Sequence, residues 1–253
     1  MREIKQDRIG FLDVASYLFQ GIKIALNPEC RMFLVIPVLI NLILLSFCGY
    51  ALYANIKPLI ISLFESFPDF LIFIAYIITG LLAITIFVMS CYIFSTVATI
   101  IASPFYGLLA DRVENILNGT KGDDLGLIGI IKDIPRIIRR ECRKQLFFLP
   151  LALLCLVITF IPFINIIAPL CWFLLTSWMG CIQYTDYAYD NHRISFKSMH
   201  SDLKRNLIPS FTLGAMIAFL MAVPVVNLII PPAAVCAGTK YYLQMQKYYS
   251  LQR

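Results

Sequence analysis

Two apolar stretches with the same proline and asparagine spacing decide the fold: IPFINIIAP at positions 161–169 and VPVVNLIIP at positions 223–231. Both read Pro-x-x-Asn-x-x-x-Pro, and the second follows the first by 62 residues inside equally apolar sequence. Proline interrupts a helix because it lacks a backbone N–H and restricts the preceding residue. The repeat therefore predicts two helical hairpins, each with its tip at the Pro-x-x-Asn sequence.

Outside these repeats the chain is also poor in charge. Its 253 residues are 60% apolar and only 14% charged, whereas soluble globular proteins carry about 25% charged residues. Four long stretches contain no charged residue: 32–56, 70–110, 145–185 and 206–239. Because a transmembrane helix needs about 20 apolar residues, we expect an all-α integral membrane protein. Two transmembrane helices (32–56 and 70–99) would precede the two hairpins (146–185 and 206–239).

The hairpin arms are expected to be short. Residues 146–161 would span roughly 24 Å as a helix, against a hydrocarbon core of about 30 Å. This favours re-entrant hairpins that enter and leave on one face, with tips buried by other helices, by another subunit or along a water-filled path. Four short full spans are the alternative.

Charge placement favours hairpins that return to their starting face. That arrangement puts 20 of the 21 Lys and Arg residues on one side, which the positive-inside rule assigns to the cytoplasm together with both termini. We expect one membrane domain over 1–253. It would contain an amphipathic N-terminal helix within 1–31, a turn at 57–69 and interfacial helices over 104–144, one of which ends at Asn118-Gly119.

The sequence Ser103-Pro104 is predicted to end the second transmembrane helix and to start a new helix near Gly107. A helix N-terminus binds anions through unpaired N–H groups, and glycine permits close approach to the backbone. Arg31, at the mouth of the first span, would add a guanidinium suited to an oxyanion. The simpler interpretations are a tight turn at Gly107 and an interfacial anchor at Arg31.

A basic cluster precedes the first hairpin and comprises Lys132, Arg136, Arg139, Arg140, Arg143 and Lys144. Its simplest interpretation is a strip that faces lipid headgroups. The functional alternative is a vestibule that attracts anions.

Catalytic, cofactor and metal motifs do not appear in the sequence. There are two histidines, His192 and His200, and no HExxH, GxSxG, Walker A or GxGxxG sequence. We therefore expect no enzyme activity, no cofactor and no metal. The net charge of +6 favours contact with membrane lipids over nucleic acid.

At these residues the sequence resembles the bacterial CysZ sulfate transporters over nearly the whole chain. The matching stretches are FLVIPVLIN (33–41), FSTVATIIASPFYGLLAD (94–111), IGIIKDIPRIIRRE (128–141), FIPFINIIAPLCWF (160–173), IQYTDYAYDNH (182–192) and PVVNLIIPPAAVCAG (224–238). The most distinctive parts are SPFYGLLAD and QYTDYAYDNH. The resemblance implies sulfate uptake across the bacterial inner membrane for cysteine synthesis, by an oligomer of two true spans and two hemi-penetrating hairpins per chain.

The resemblance also implies a sulfate site at Arg31, Gly107 and Leu108. In the family a pair of arginines precedes the first span, and its second arginine matches Met32 here. Asp111 and Arg112, with Arg136 and Arg139, are candidates to line a polar path.

Because no ATP motif occurs, flux would be channel-like or coupled to protons, with Asp111, Glu114 or a loop histidine as proton carriers. Sulfite and other oxyanions are further candidate substrates. The alternative function is a membrane scaffold of the same architecture that transports nothing.

Overall fold

The computed structural model describes residues 9–65, 72–120, 127–223 and 226–250, and all regular structure in these ranges is helical. The prediction of an all-α membrane protein is confirmed. The described ranges contain eight α-helices: α1 (Phe11–Ala25), α2 (Met32–Glu65), α3 (Ile72–Asn118), α4 (Leu127–Phe160), α5 (Ala168–Asn191), α6 (Phe196–Arg205), α7 (Leu207–Met221) and α8 (Ile230–Ser250).

Helices end at both copies of the Pro-x-x-Asn repeat, as predicted. A 3-10 turn (Ile164–Ile167) separates α4 from α5, and a second one (Val226–Leu228) separates α7 from α8. Pro224 and Val225 of the second tip lie outside the described residues. Within this chain the first tip is not covered, since Phe163 is 94% exposed. Burial by the chain's own helices, one of the three expected covers, is therefore not seen at this tip, whereas burial by another subunit or along a water-filled path stays a prediction.

The shortness of the first hairpin's arms stays a prediction. The helical segments Lys132–Phe160 and Ile164–Asn191 are 29 and 28 residues long and are candidate membrane spans by length and composition, but eight of the residues in 132–144 are charged, so the uncharged part of the first arm is 145–160. Two further described segments, Val35–Leu52 and Tyr76–Asn118, meet the same criterion. The apolar helix α7 has only 15 residues, fewer than the roughly 20 that a span requires. How deeply each hairpin enters the bilayer stays a prediction.

Three predicted helix boundaries do not occur, because prolines lie inside continuous helices. Helix α3 passes through Pro104, where the sequence predicted a break. Helix α2 passes through Pro58 to Glu65, although a turn was predicted at 57–69; residues 66–69 of that turn lie outside the described residues. Helix α4 joins the interfacial segment to the first hairpin arm through Pro135 and Pro150.

Packing explains why α3 continues beyond Pro104. Ser103, Leu109 and Val113 are each fully buried, and Tyr106 is 7% exposed. Burial of a helix face in tertiary contacts offsets the roughly 3 kcal/mol that an interior proline costs. The helix ends at Asn118, as predicted, where Gly119 takes a positive φ of 67° and so closes the last turn in the left-handed conformation that glycine favours.

The chain divides into two compact parts. Residues 36–102 form one part, made of most of α2 and the first two thirds of α3. Its side chains are largely apolar and exposed, including Phe47, Tyr50 and Phe73, as expected of helices that face lipid. Residues 1–35 and 103–253 form the other part, which contains all the predicted site residues.

Close helix crossings hold the second part together. A methyl group added at Gly214 of α7 would lie 1.7 Å from the carbonyl oxygen of Ser177 on α5. Methyl groups at Gly238 and Gly21 would lie 2.5 Å from the Tyr184 carbonyl oxygen and 2.4 Å from the Ala233 carbonyl oxygen. These glycines let backbones touch, which is the usual way for membrane helices to pack.

An aromatic box encloses His200 of α6. The imidazole centroid lies 5.1 Å from that of the Phe147 ring, 5.6 Å from Trp178 and 6.2 Å from Phe196. The Nδ1 atom of His200 is buried and has no hydrogen-bond partner in the described part of the chain. Desolvation by these rings lowers the pKa of His200, and the positive charge of Lys204 lowers this pKa further.

We expect the box to weaken as pH falls from 7 to 5. The folded-state pKa lies below the unfolded value, so the unfolded chain binds the proton more readily and stability is lost below the unfolded pKa of about 6.5. The variant His200→Phe should show a flatter loss of melting temperature over this range. Equal slopes in wild type and His200→Phe would contradict the assignment.

Candidate functional site

The two most distinctive stretches of the sequence contact each other. The Tyr106 ring of α3 lies 5.6 Å from the Tyr187 ring of α5 in an edge-on contact. The Asn191 side-chain amide donates a hydrogen bond of 2.8 Å to the Gly107 carbonyl oxygen. About two turns further along α3, the Glu114 carboxylate lies 2.8 Å from Nε2 of His192. SPFYGLLAD is therefore docked on the end of α5 that carries QYTDYAYDNH.

Gly107 and Leu108 lie inside a helix, not at its start. Helix α3 is continuous here, so the argument for an anion site at a helix N-terminus fails. Packing does not require a glycine either, since an added methyl would make an ordinary contact of 3.6 Å with Asn191 Oδ1. The sulfate site at Arg31, Gly107 and Leu108 stays a prediction from the family resemblance.

Arg31 is held near the same stretch of α3. Its side chain is exposed, and it lies two residues after Glu29, whose carboxylate pairs with Arg112 at 3.0 Å. Asp111 is half-buried and accepts a hydrogen bond of 3.4 Å from Asn115. The Glu29–Arg112 pair therefore brings the turn that carries Arg31 beside the helix segment that carries Gly107.

A buried ion network, which the sequence analysis missed, joins α4 to α5. The Arg140 guanidinium donates to both carboxylate oxygens of Asp186, at 2.9 and 2.6 Å to Oδ1 and 3.1 Å to Oδ2. Its Nη1 donates to the Ile194 carbonyl oxygen at 2.6 Å. Arg136, one turn earlier, pairs with Asp190, one turn beyond Asp186.

The network continues inward to a buried lysine. Lys144 is 1% exposed and lies 2.7 Å from Glu141 and 3.3 Å from Asp186. Its ammonium also sits 4.7 Å from the centre of the Tyr187 ring. The interpretation of the basic cluster as a lipid-facing strip is therefore wrong for Arg136, Arg140 and Lys144, which face α5.

Arg139 is exposed and, among the described residues, has no ionic partner. At the outer end of the network, Asp133 accepts from Arg136 at 3.1 Å and from Arg193 at 3.0 Å. The predicted path residues thus separate: Arg136 belongs to the network, Arg139 borders it, and Asp111 and Arg112 lie on α3.

A signal in the sequence could have revealed this network. Arg136, Arg140 and Lys144 repeat every four residues on α4, and Asp186 and Asp190 do so on α5. Side chains four residues apart share one helix face, and carboxylates inside an apolar helix call for buried partners. A row of basic residues on one hairpin arm and a row of acidic residues with the same spacing on the other arm therefore predict a ladder of ion pairs.

Comparison with known proteins identifies the family. The family described as "Sulfate transporter CysZ/Etoposide-induced protein 2.4" matches residues 17–232. A protein named Sulfate transporter CysZ from Vibrio cholerae is 42% identical over 237 residues, which cover 93% of each chain. Proteins of the same name from Vibrio parahaemolyticus and Salmonella enteritidis are 38% and 39% identical, over 96% and 90% of this chain and 97% and 90% of theirs. The chain therefore belongs to the CysZ/Etoposide-induced protein 2.4 family.

Proposed function

We propose that this protein transports sulfate across the bacterial inner membrane and supplies sulfur for cysteine biosynthesis. The observation that carries the proposal is about 40% identity, over nine tenths of both chains, to proteins named sulfate transporter. Four described helices long and apolar enough to span a bilayer support a multi-pass protein. The family name is that of a transporter, so we propose no catalytic activity.

The proposed sulfate site consists of Arg31, Gly107 and Leu108. Arg31 would supply a forked, permanently charged donor for the oxyanion. Met32 supplies no second guanidinium. The position of Arg31 next to the Glu29–Arg112 pair supports this proposal, because it brings a guanidinium beside the helix that carries Gly107.

The driving force would come from ion gradients or from sulfate consumption. Entry of a dianion against an inside-negative potential costs roughly 4.6 kcal/mol per 100 mV, since each charge costs about 2.3 kcal/mol. Passive flux therefore requires very low internal sulfate, which reduction to cysteine would maintain. Coupling to protons would cancel part of the charge, with Asp111, Glu114 or His192 as the carrier.

Uptake of radiolabelled sulfate into proteoliposomes tests the proposal. We expect flux above that of protein-free vesicles, increased by an inside-positive potential if the flux is passive. An inward proton gradient, applied without a potential, should accelerate uptake if protons are carried with sulfate. Absence of flux under all conditions, with the protein folded in the vesicles, would instead favour a membrane scaffold.

The variant Arg31→Ala tests the sulfate site. Loss of one charge-assisted contact is worth about 1.5–3 kcal/mol, which corresponds to roughly a 10- to 100-fold weaker dissociation constant. Calorimetry in detergent measures this constant. Lys23→Ala removes another exposed positive charge from the N-terminal region and should leave sulfate affinity unchanged. Equal affinity of Arg31→Ala and wild type would remove Arg31 from the site.

A further inference from the structure

An arginine-lined cleft opens where α4, α5 and the start of α6 meet. Its volume is about 250 Å³, and five arginines line it: Arg136, Arg139, Arg140, Arg143 and Arg193. Of the described residues, Asp190 is the one carboxylate in the lining, and residues 194–196 complete the wall. None of the residues of the proposed Arg31, Gly107 and Leu108 site takes part in it.

The ion pairs around the cleft leave a surplus of positive charge. Arg136, Arg140 and Arg193 are held by the three carboxylates Asp133, Asp186 and Asp190. Among the described residues, Arg139 and Arg143 have no ionic partner, and both are exposed. Five guanidinium groups face three carboxylates, so the cleft carries two uncompensated positive charges.

The two unpaired arginines are placed to act on one ligand. Arg139 and Arg143 are four residues apart on α4, so their Cβ atoms lie about 5–6 Å from each other on one helix face. Arg136 lies three residues before Arg139, and its Nε is buried without a hydrogen-bond partner among the residues that the structure describes. Guanidinium forks in this arrangement can donate to several oxygens of a tetrahedral anion at once.

The first residues of α6 add to the positive character of the wall. Ser195 caps α6 and accepts a hydrogen bond from the Ser198 backbone N–H. Ser195 and Phe196 both line the cleft. The N-terminal end of a helix carries a partial positive charge and favours anions near it, so this end of the ten-residue helix α6 reinforces the arginines.

We propose that this cleft is a second binding site for a tetrahedral dianion, and this inference rests on the proposed function in taking sulfate as that ion. The two surplus charges match a dianion better than a lipid phosphodiester, which carries a single negative charge. The cleft also shares one end of α5 with the first site: Asp190 lines the cleft, and the next residue, Asn191, donates to the Gly107 carbonyl oxygen. Sulfate captured at the cleft would therefore lie beside the end of α5 that contacts Gly107.

Calorimetric titration of the full chain in detergent with sodium sulfate, at physiological ionic strength, tests the inference. We expect the double variant R139Q/R143Q to bind one sulfate fewer per chain than wild type, or to bind it at least tenfold more weakly. The control K23Q/K197Q removes two exposed lysines that lack ionic partners among the described residues, and it should bind as wild type does. The variant R139K/R143K keeps the charge without the forks and should lose part of the affinity.

Unchanged sulfate binding by R139Q/R143Q would overturn the inference, and so would an equal loss in K23Q/K197Q. A second arm measures binding to vesicles of phosphatidylglycerol and of phosphatidylcholine without sulfate. The inference would also be overturned if R139Q/R143Q bound phosphatidylglycerol vesicles more weakly than wild type but bound sulfate equally well. That result would assign the cleft to lipid.

Failure of this inference is distinguishable from failure of the proposed function. Wild-type uptake of sulfate together with unaltered binding in R139Q/R143Q removes the cleft and leaves transport standing. Arginine-dependent binding without any flux in proteoliposomes supports the cleft and contradicts transport. Because both arginines are exposed, the variants should melt at the same temperature as wild type. A lost binding event then reflects a change in the cleft and not unfolding of the protein.

Discussion

The variant Asp186→Ala is expected to destabilise the folded protein by about 3–5 kcal/mol, the cost of breaking a buried ion pair from one side. The Asp186 side chain is 2% exposed and contacts both Arg140 and Lys144. Without it, Arg140 loses the carboxylate that accepts from it through both oxygens, and Glu141 is the one carboxylate that Lys144 keeps among the described residues. Unfolding by dodecyl sulfate in mixed micelles, followed by the fluorescence of the two tryptophans of α5, measures the free energy.

Glu29→Ala is the matched control for this prediction. It removes one carboxylate from the pair with Arg112, in which both side chains are about half exposed, at 53% and 40%. Exposed pairs contribute about 0–1 kcal/mol, so this variant should unfold almost as wild type does. If Asp186→Ala proves as mild as Glu29→Ala, the ladder between α4 and α5 does not hold the first hairpin together.

The variant Gly214→Ala is expected to cost about 3 kcal/mol, the upper end of the range for overpacking. An added methyl would lie 1.7 Å from the Ser177 carbonyl oxygen and 3.0 Å from the Cys181 backbone nitrogen. Both are backbone atoms of α5, so no side-chain rotation relieves the clash and the two helices must separate. The same micelle titration reports the loss.

Two other glycines provide a graded control. Gly80→Ala adds a methyl that meets no atom of another described residue within 4 Å, apart from the backbone of its own helix. It should be neutral or stabilising by up to about 1 kcal/mol, because alanine favours the helix. Gly180 lies at the same crossing as Gly214, but a methyl added there would lie 3.4 Å from the Gly214 carbonyl oxygen, a much looser contact. The stability of Gly180→Ala should therefore fall between those of Gly214→Ala and Gly80→Ala. A Gly214→Ala protein as stable as Gly80→Ala would show that α5 and α7 do not cross this closely.

Local signals predicted the helix ends that depend on nearby sequence alone. Both Pro-x-x-Asn repeats coincide with breaks, and Asn118-Gly119 ends α3. Pro104 misled the prediction because its effect is decided by distant contacts: burial of Tyr106 and Leu109 keeps the helix intact. A single sequence does not show which residues will pack against a proline-containing turn.

The candidate site was predicted only in part, for the same reason. The resemblance implied a site at Gly107 and Arg31. In the structure the segments that carry these residues are joined by the ion pair between Arg112 and Glu29. The facing of Arg136 and Arg140 toward α5 depends on the rotation of α4 about its axis. That rotation is set by carboxylates 46 and 54 residues further along the chain, so the basic cluster alone did not reveal it.

The continuity of α4 has a mechanical consequence. The ladder of ion pairs fixes α4 to α5 as far as Lys144. Pro150 lies beyond the last of these ion pairs, and it lacks the backbone N–H whose hydrogen bond would stiffen α4 there. Bending of the first hairpin would concentrate at Pro150, so the arm that bears Phe160 could pivot while the charged half stays fixed. Such a pivot would let the membrane-facing tip move without disturbing the arginines.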